Sequence, residues 1–83
     1  MHNQFFYVQL WQRLNVNVPP IQQRVQAPSE GHAIVQVMRL HHLSYVDRAW
    51  VSPSVYAAPT VRLVEITVKG KVRRWRQEVL RTS

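Results

Sequence analysis

The sequence predicts a small, β-rich α+β domain with three to four strands, including a C-terminal hairpin, and one or two short helices. An all-β fold is the alternative. The apolar content, 46%, is ordinary for a globular protein. It comes mainly from Val, Trp, Tyr and Phe, which suit a pleated, half-buried surface. A length of 83 residues suits one domain over residues 1–83, and the absence of Cys excludes disulfides and Cys-based zinc sites.

The first apolar segment, residues 5–14, fits either a strand or a helix. Its aromatic residues recur at helical spacings of three and four, but its opening Phe-Phe-Tyr-Val favours a strand. We therefore predict a strand here. Pro19 and Pro20 then end regular structure, and residues 21–26 form either one helical turn or an extended connector.

The middle of the chain predicts one strand and one short helix. Residues 28–31, Pro-Ser-Glu-Gly, indicate a turn. The nearly continuous apolar run in residues 33–43 is typical of a strand covered on both faces. Ser44 then caps a short helix over residues 45–51, with Asp47 at the third helical position of a capping box.

The C-terminal part predicts a β-hairpin. Residues 60–68 alternate as a strand does, Gly70 supplies the positive φ of a tight turn, and residues 72–81 form the returning strand. A C-terminal helix is the alternative for this last segment, although Arg76 falls inside its apolar face.

The hairpin permits two pairing registers. Trp75 lies opposite Val64 in one register and opposite Ile66 in the other. Likewise, Glu65 faces either Arg74 or Arg76. Both registers give favourable cross-strand pairs.

Charge is the second strong feature of the sequence. Eleven Lys and Arg stand against four acids, for a net charge of +7, and all of these cations except Lys69 and Lys71 are arginines. The planar guanidinium matches phosphates and stacks on rings, which favours nucleic acid or another polyanion as partner. The alternative is that the arginine excess reflects only the base composition of the gene and serves solubility.

The cations gather around one tryptophan near the C-terminus. Single-stranded nucleic acid is bound by this combination, because cations neutralise phosphates and an indole stacks on a base. In the alternative reading, Trp75 belongs to the core and the arginines protect an edge strand. The predicted nucleic-acid-binding residues are Lys69, Lys71, Arg73, Arg74, Trp75, Arg76 and Arg81.

No pattern in the sequence predicts catalysis, a metal site or a cofactor. The histidines are His2, His32, His41 and His42, and the two adjacent ones point to opposite faces of the predicted strand. The acids are isolated from one another, and two glycines cannot build a phosphate-binding loop. We therefore expect a protein that is not an enzyme, with no catalytic residue, no metal and no cofactor.

Two classes of function follow. The first is a non-catalytic nucleic-acid-binding component, with RNA in a ribonucleoprotein as the favoured case. The alternative is a protein-interaction or homo-oligomeric accessory protein, a class that includes viral proteins, packing through Val and aromatic surface. The chain lacks an apolar run of the ~18 residues that a spanning helix needs and a secretory signal pattern. We expect an intracellular protein, soluble or within a larger assembly, and not secreted.

Overall fold

The computed structural model describes residues 3–79, which form a five-stranded antiparallel sheet and one helix. The order of strands in the sheet is β2-β1-β3-β4-β5. The predicted β-rich α+β class is confirmed, with one strand more than expected. In chain order the elements are β1 (Gln4–Trp11), β2 (Ile21–Ala27), α1 (Glu30–Leu40), β3 (Tyr45–Ser52), β4 (Val61–Lys69) and β5 (Val72–Gln77).

Three of the predicted strands are present. β1 lies within residues 5–14 apart from its first residue, β4 matches residues 60–68 to within one residue at each end, and β5 covers the first part of residues 72–81. Gly70 adopts the expected positive φ, +59°. The connector at residues 21–26 is the edge strand β2. Leu80 and Arg81, at the end of the predicted returning strand, lie outside the described residues.

The prediction of a buried strand over residues 33–43 is wrong, because most of this segment belongs to α1. Ser29, which was assigned to a turn, is the N-cap, and its Oγ accepts a hydrogen bond from the His32 backbone N–H at 3.3 Å. A continuous apolar run does not distinguish a strand from a buried helix by periodicity. Here the cap selects the helix, which buries one face and exposes Gln36 and Arg39.

The predicted helix over residues 45–51 is also wrong, because these residues form the central strand β3. β3 pairs with β1 on one side and β4 on the other, so its backbone groups are satisfied by neighbouring strands. Ser44 does not cap a helix; its carbonyl accepts a hydrogen bond from the Val68 N–H at 2.9 Å. The Val, Tyr and Trp content of the segment favours the strand.

Side-chain alternation divides the sheet into two faces. The helix-side face packs against α1, mainly over β1, β2 and β3. Burying each large aliphatic side chain stabilises the fold by about 1.5–3 kcal/mol, so this layer is the main source of stability. The other face, called the open face below, is covered by no helix within residues 3–79. The core consists of Phe6, Val8, Leu10, Val25, Ala27, Ala33, Ile34, Val35, Val37, Met38, Val46, Ala49, Val51, Leu63, Ile66 and Val68.

A β-bulge interrupts the β4–β5 pairing. Val64 pairs with Arg76 and Thr67 pairs with Arg74, so two residues of β4 lie opposite Trp75 alone. The first of the two, Glu65, has a φ of +55°, the left-handed conformation that one class of bulge requires. Between the turn and the bulge the pairing follows the predicted register in which Trp75 lies opposite Ile66. Beyond the bulge the pairing shifts by one residue and matches neither predicted register, which reverses the side-chain alternation along β4.

Candidate nucleic-acid interface

The predicted cation cluster lies on the β4–β5 hairpin, at one edge of the sheet. Lys69 ends β4, Lys71 lies in the turn, and three arginines lie on β5. All of these side chains are exposed. Arg81, the last predicted cation, lies outside the described residues. The structure thus brings together Lys69, Lys71, Arg73, Arg74, Trp75 and Arg76.

The hairpin presents its cations on two sides. Trp75 lies on the helix side, where a Cβ added to Gly31 would stand 3.5 Å from its Cη2 atom. Arg73 lines a concavity on the same side together with Arg39 of α1. Arg74 and Arg76 pair with Thr67 and Val64 of the open face. The indole therefore anchors β5 on the first turn of the helix while the arginines stay accessible.

One carboxylate lies on the hairpin. Glu65 Oε1 is 2.5 Å from Arg76 Nη2, and both side chains are more than half exposed. The predicted pair between Glu65 and a β5 arginine therefore forms with Arg76 and not with Arg74. Within residues 3–79, no carboxylate lies in ion-pair range of Lys69, Lys71, Arg73 or Arg74.

A concavity of about 750 Å³ lies beside the bulge, at this edge of the sheet. Below it is called the hairpin concavity. Its wall combines two aromatic rings, three arginines, one carboxylate and two hydroxyl groups. The lining residues are Tyr45, Glu65, Thr67, Arg73, Arg74, Trp75 and Arg76.

Tyr45 is the aromatic residue that β3 contributes to this concavity, and it is 45% exposed. A hydrogen bond to the Asp47 carboxylate, followed by desolvation and the negative charges of Asp47 and Glu65, raises the pKa of Tyr45 above its ordinary value of 10.0. The phenol is thus a neutral hydrogen-bond donor at physiological pH. Asp47 also accepts a hydrogen bond from the Leu14 N–H at 3.0 Å.

Sequence reasoning missed a group on the open face, which we call the arginine–tryptophan ladder: Trp11, Arg48, Trp50 and Arg62. The rings of Trp11 and Trp50 meet edge to face at 5.0 Å. The Arg48 guanidinium lies 5.6 and 5.4 Å from these two ring centroids, and that of Arg62 lies 5.2 Å from Trp50. The signal was the Arg48–Trp50 spacing, which puts both residues on one face of a strand.

Glu78 completes the ladder. Its Oε1 lies 3.0 Å from Arg48 Nε and accepts a hydrogen bond from Trp50 Nε1 at 3.1 Å. Its side chain is only 12% exposed. The ladder is therefore a supporting structure whose rings are covered by its own arginines.

Two aromatic rings of the hairpin concavity have no guanidinium group over them. Among residues 3–79, guanidinium groups lie over Phe5, Trp11 and Trp50, and none lies over Tyr45 or Trp75. The exposed ring of Tyr56 is also uncovered, but it borders a different concavity. The hairpin concavity therefore combines uncovered rings with arginines that have no carboxylate partner among the described residues.

Two of the three histidines that the structure describes, His32 and His41, make separate side-chain hydrogen bonds. His32 Nδ1 is 2.8 Å from Ser29 Oγ, and His41 Nε2 is 2.8 Å from Gln23 Oε1. Within residues 3–79, no group of three or more potential metal-ligating side chains comes together. In the same range, no helix is long and apolar enough to cross a bilayer.

Comparisons with known proteins return no match. No protein-family model, curated protein or solved structure matches this chain.

Proposed function

We propose that the protein is a non-catalytic nucleic-acid-binding component, with RNA in a ribonucleoprotein as the favoured partner. The observation that carries the proposal is the set of exposed hairpin cations without a carboxylate partner among residues 3–79: Lys69, Lys71, Arg73 and Arg74. Phosphates bind such cations with release of condensed counterions. The rings of the hairpin concavity, which no described guanidinium covers, add stacking surface for bases.

Salt dependence tests the proposal. Each phosphate neutralised on a single strand contributes about 0.7 to the log–log slope of affinity against salt, so the four unpaired hairpin cations predict a slope of about −2.8. Affinity for a single-stranded oligonucleotide should then fall roughly fiftyfold between about 50 mM and about 200 mM salt. Undetectable binding at the lower salt concentration would contradict the proposal.

A matched pair of variants locates the contact. Replacing Arg73 and Arg74 by Ala removes two unpaired hairpin cations and should reduce the slope by about 1.4. Replacing Arg13 and Arg24 by Ala removes the same charge from the loop after β1 and from β2, far along the sheet from β5. Equal changes in slope for both variants would show that net charge, and not the hairpin, governs binding.

A second candidate function, protein interaction, rests on a different surface. In the loop between β3 and β4, Tyr56 is 96% exposed and Val55 is 58% exposed, and both border a concavity that Phe5 also lines. Exposed aromatic residues of this kind are enriched in protein interfaces. If the chain self-associates through this loop, Tyr56→Ser should shift the mass measured by light scattering to that of a monomer. A wild-type monomer that captures no partner would contradict this candidate.

A further inference from the structure

We infer that the hairpin concavity is a base-binding site for single-stranded nucleic acid, in which Tyr45 stacks on a base and the Glu65 carboxylate selects guanine. This inference rests on the proposed function and adds a base preference to it. Its basis is the juxtaposition of an uncovered ring, an exposed carboxylate and unpaired arginines at the β4–β5 bulge.

The dimensions of the concavity suit a nucleotide. Its volume, about 750 Å³, lies within the roughly 300–1,000 Å³ of small-molecule sites. It is open at the sheet edge, so a strand of nucleic acid can pass through while one base enters. Single-stranded nucleic acids are read in this way, with unstacked bases placed on aromatic rings and bound along their Watson–Crick edges.

Tyr45 offers the stacking surface. It lies on β3 opposite Thr67 of β4, and nearly half of its side chain is exposed. A tyrosine supplies a large flat contact area at low conformational-entropy cost, because its side chain has only two rotatable bonds. Trp50, on the same strand, cannot take this part because Arg48 and Arg62 already lie beside its ring.

Glu65 occupies a backbone position that does not favour glutamate. A left-handed φ costs a residue other than Gly or Asn about 1–2 kcal/mol, and this type of bulge usually has Gly there. The carboxylate nevertheless projects from the sheet and is 55% exposed. A glutamate in this strained position is consistent with a role for its side chain.

The chemistry of a carboxylate decides which base it accepts. An ionised carboxylate is an acceptor only, with about four lone-pair sites. Arg76 engages Oε1, which leaves Oε2 and further lone pairs for a ligand. Guanine presents two adjacent donors, N1–H and the N2 amino group, that match the two oxygens. Uracil presents one donor between two carbonyl acceptors, so the carboxylate repels most of its edge.

Arginines of the hairpin concavity can bind the phosphate backbone of the bound oligonucleotide. Arg74 lines the concavity without a carboxylate partner among residues 3–79, and it is close to Arg76 on the same face. A phosphate beside the stacked base can therefore bind Arg74 while Arg76 holds the Glu65 carboxylate in place.

The test compares short oligouridines that carry one central guanosine, adenosine or cytidine with the all-uridine strand, by fluorescence anisotropy at constant salt. A good bidentate contact predicts about tenfold tighter binding of the guanosine strand than of the all-uridine strand. Glu65→Gln should abolish this preference and raise the affinity for oligouridine, because a negative charge that repels the uracil edge and the phosphates is lost. Glu65→Asn, which tolerates the left-handed backbone, should do the same and guards against a folding defect.

Tyr45→Ala should weaken binding of every strand about tenfold. Tyr56→Ala removes an exposed tyrosine from the loop between β3 and β4, away from the hairpin concavity, and should leave binding unchanged. Salt-dependent binding with equal affinity for all strands would overturn the base site and leave the proposed function intact. Absence of binding to any strand would overturn both.

Discussion

Removal of the Glu78 carboxylate should destabilise the fold more than any other single acid-to-neutral change on the sheet. Glu78→Ala deletes the ion pair to Arg48 and the hydrogen bond from Trp50 Nε1. A hydrogen bond to a charged group is worth about 1.5–3 kcal/mol, and Arg48, which is 30% exposed, recovers part of the loss by turning toward water. We therefore expect a loss of about 2 kcal/mol in the free energy of unfolding.

This magnitude can be measured by thermal or urea denaturation. For a chain of this size, 1 kcal/mol corresponds to roughly 4–8 °C in Tm, so Glu78→Ala should lower Tm by about 8–16 °C. Glu78→Gln keeps an acceptor for Trp50 Nε1 but removes the charge, and should lose about half as much. Glu65→Gln breaks the exposed pair with Arg76 and is the control, with an expected loss below about 1 kcal/mol. If Glu78→Ala and the control lose the same stability, the reasoning about the ladder is refuted.

Two further predictions concern the helix cap and pH. Ser29→Ala removes the side-chain acceptor for the His32 N–H and should lower the free energy of unfolding by about 1 kcal/mol, as measured by urea denaturation. Ser29→Asp should retain the cap. An equal loss of stability in both variants would contradict the capping role. Asp47→Asn should lower the pKa of Tyr45 toward 10.0, because the hydrogen bond from Tyr45 to the carboxylate is the largest cause of the upward shift; NMR titration of the Tyr45 ring carbons measures this, and an unchanged pKa would be the contrary result. The pKa of Tyr45 is higher in the folded protein than in the unfolded chain. Its contribution to the free energy of unfolding is therefore complete below the unfolded-state pKa and is lost as pH rises through the folded-state pKa.

The hairpin could be predicted from the sequence because its signals are local. Alternation over β4, a glycine with positive φ and a returning basic strand lie within a short stretch, and the pairing of Glu65 with a β5 arginine follows from the turn. The bulge could not be predicted, because nothing in the residue types shows that Glu65 takes a left-handed φ.

The middle of the chain was predicted with helix and strand exchanged, for a physical reason. Ser29 and Ser44 are both credible N-caps, each followed by an apolar stretch, and local preference does not choose between them. Strand pairing decides between them, because β3 lies between β1 and β4 and pairs with both. The segment after Ser29 then forms α1, which packs on one face of the sheet. Tyr45 was missed as a site residue for the same reason, because its place beside the hairpin depends on the β3–β4 pairing.

The strand order also bears on how the chain folds. β1 and β2 form one sequence-local unit, and β3, β4 and β5 form another, while the β1–β3 pairing joins residues 7–11 to residues 48–52. Closing that long connection costs entropy before its contacts form, so docking of the two units should limit the folding rate. Substitutions that shorten a side chain at the β1–β3 pairing, such as Leu10→Ala, should then slow folding. Substitutions in β5 should mainly accelerate unfolding.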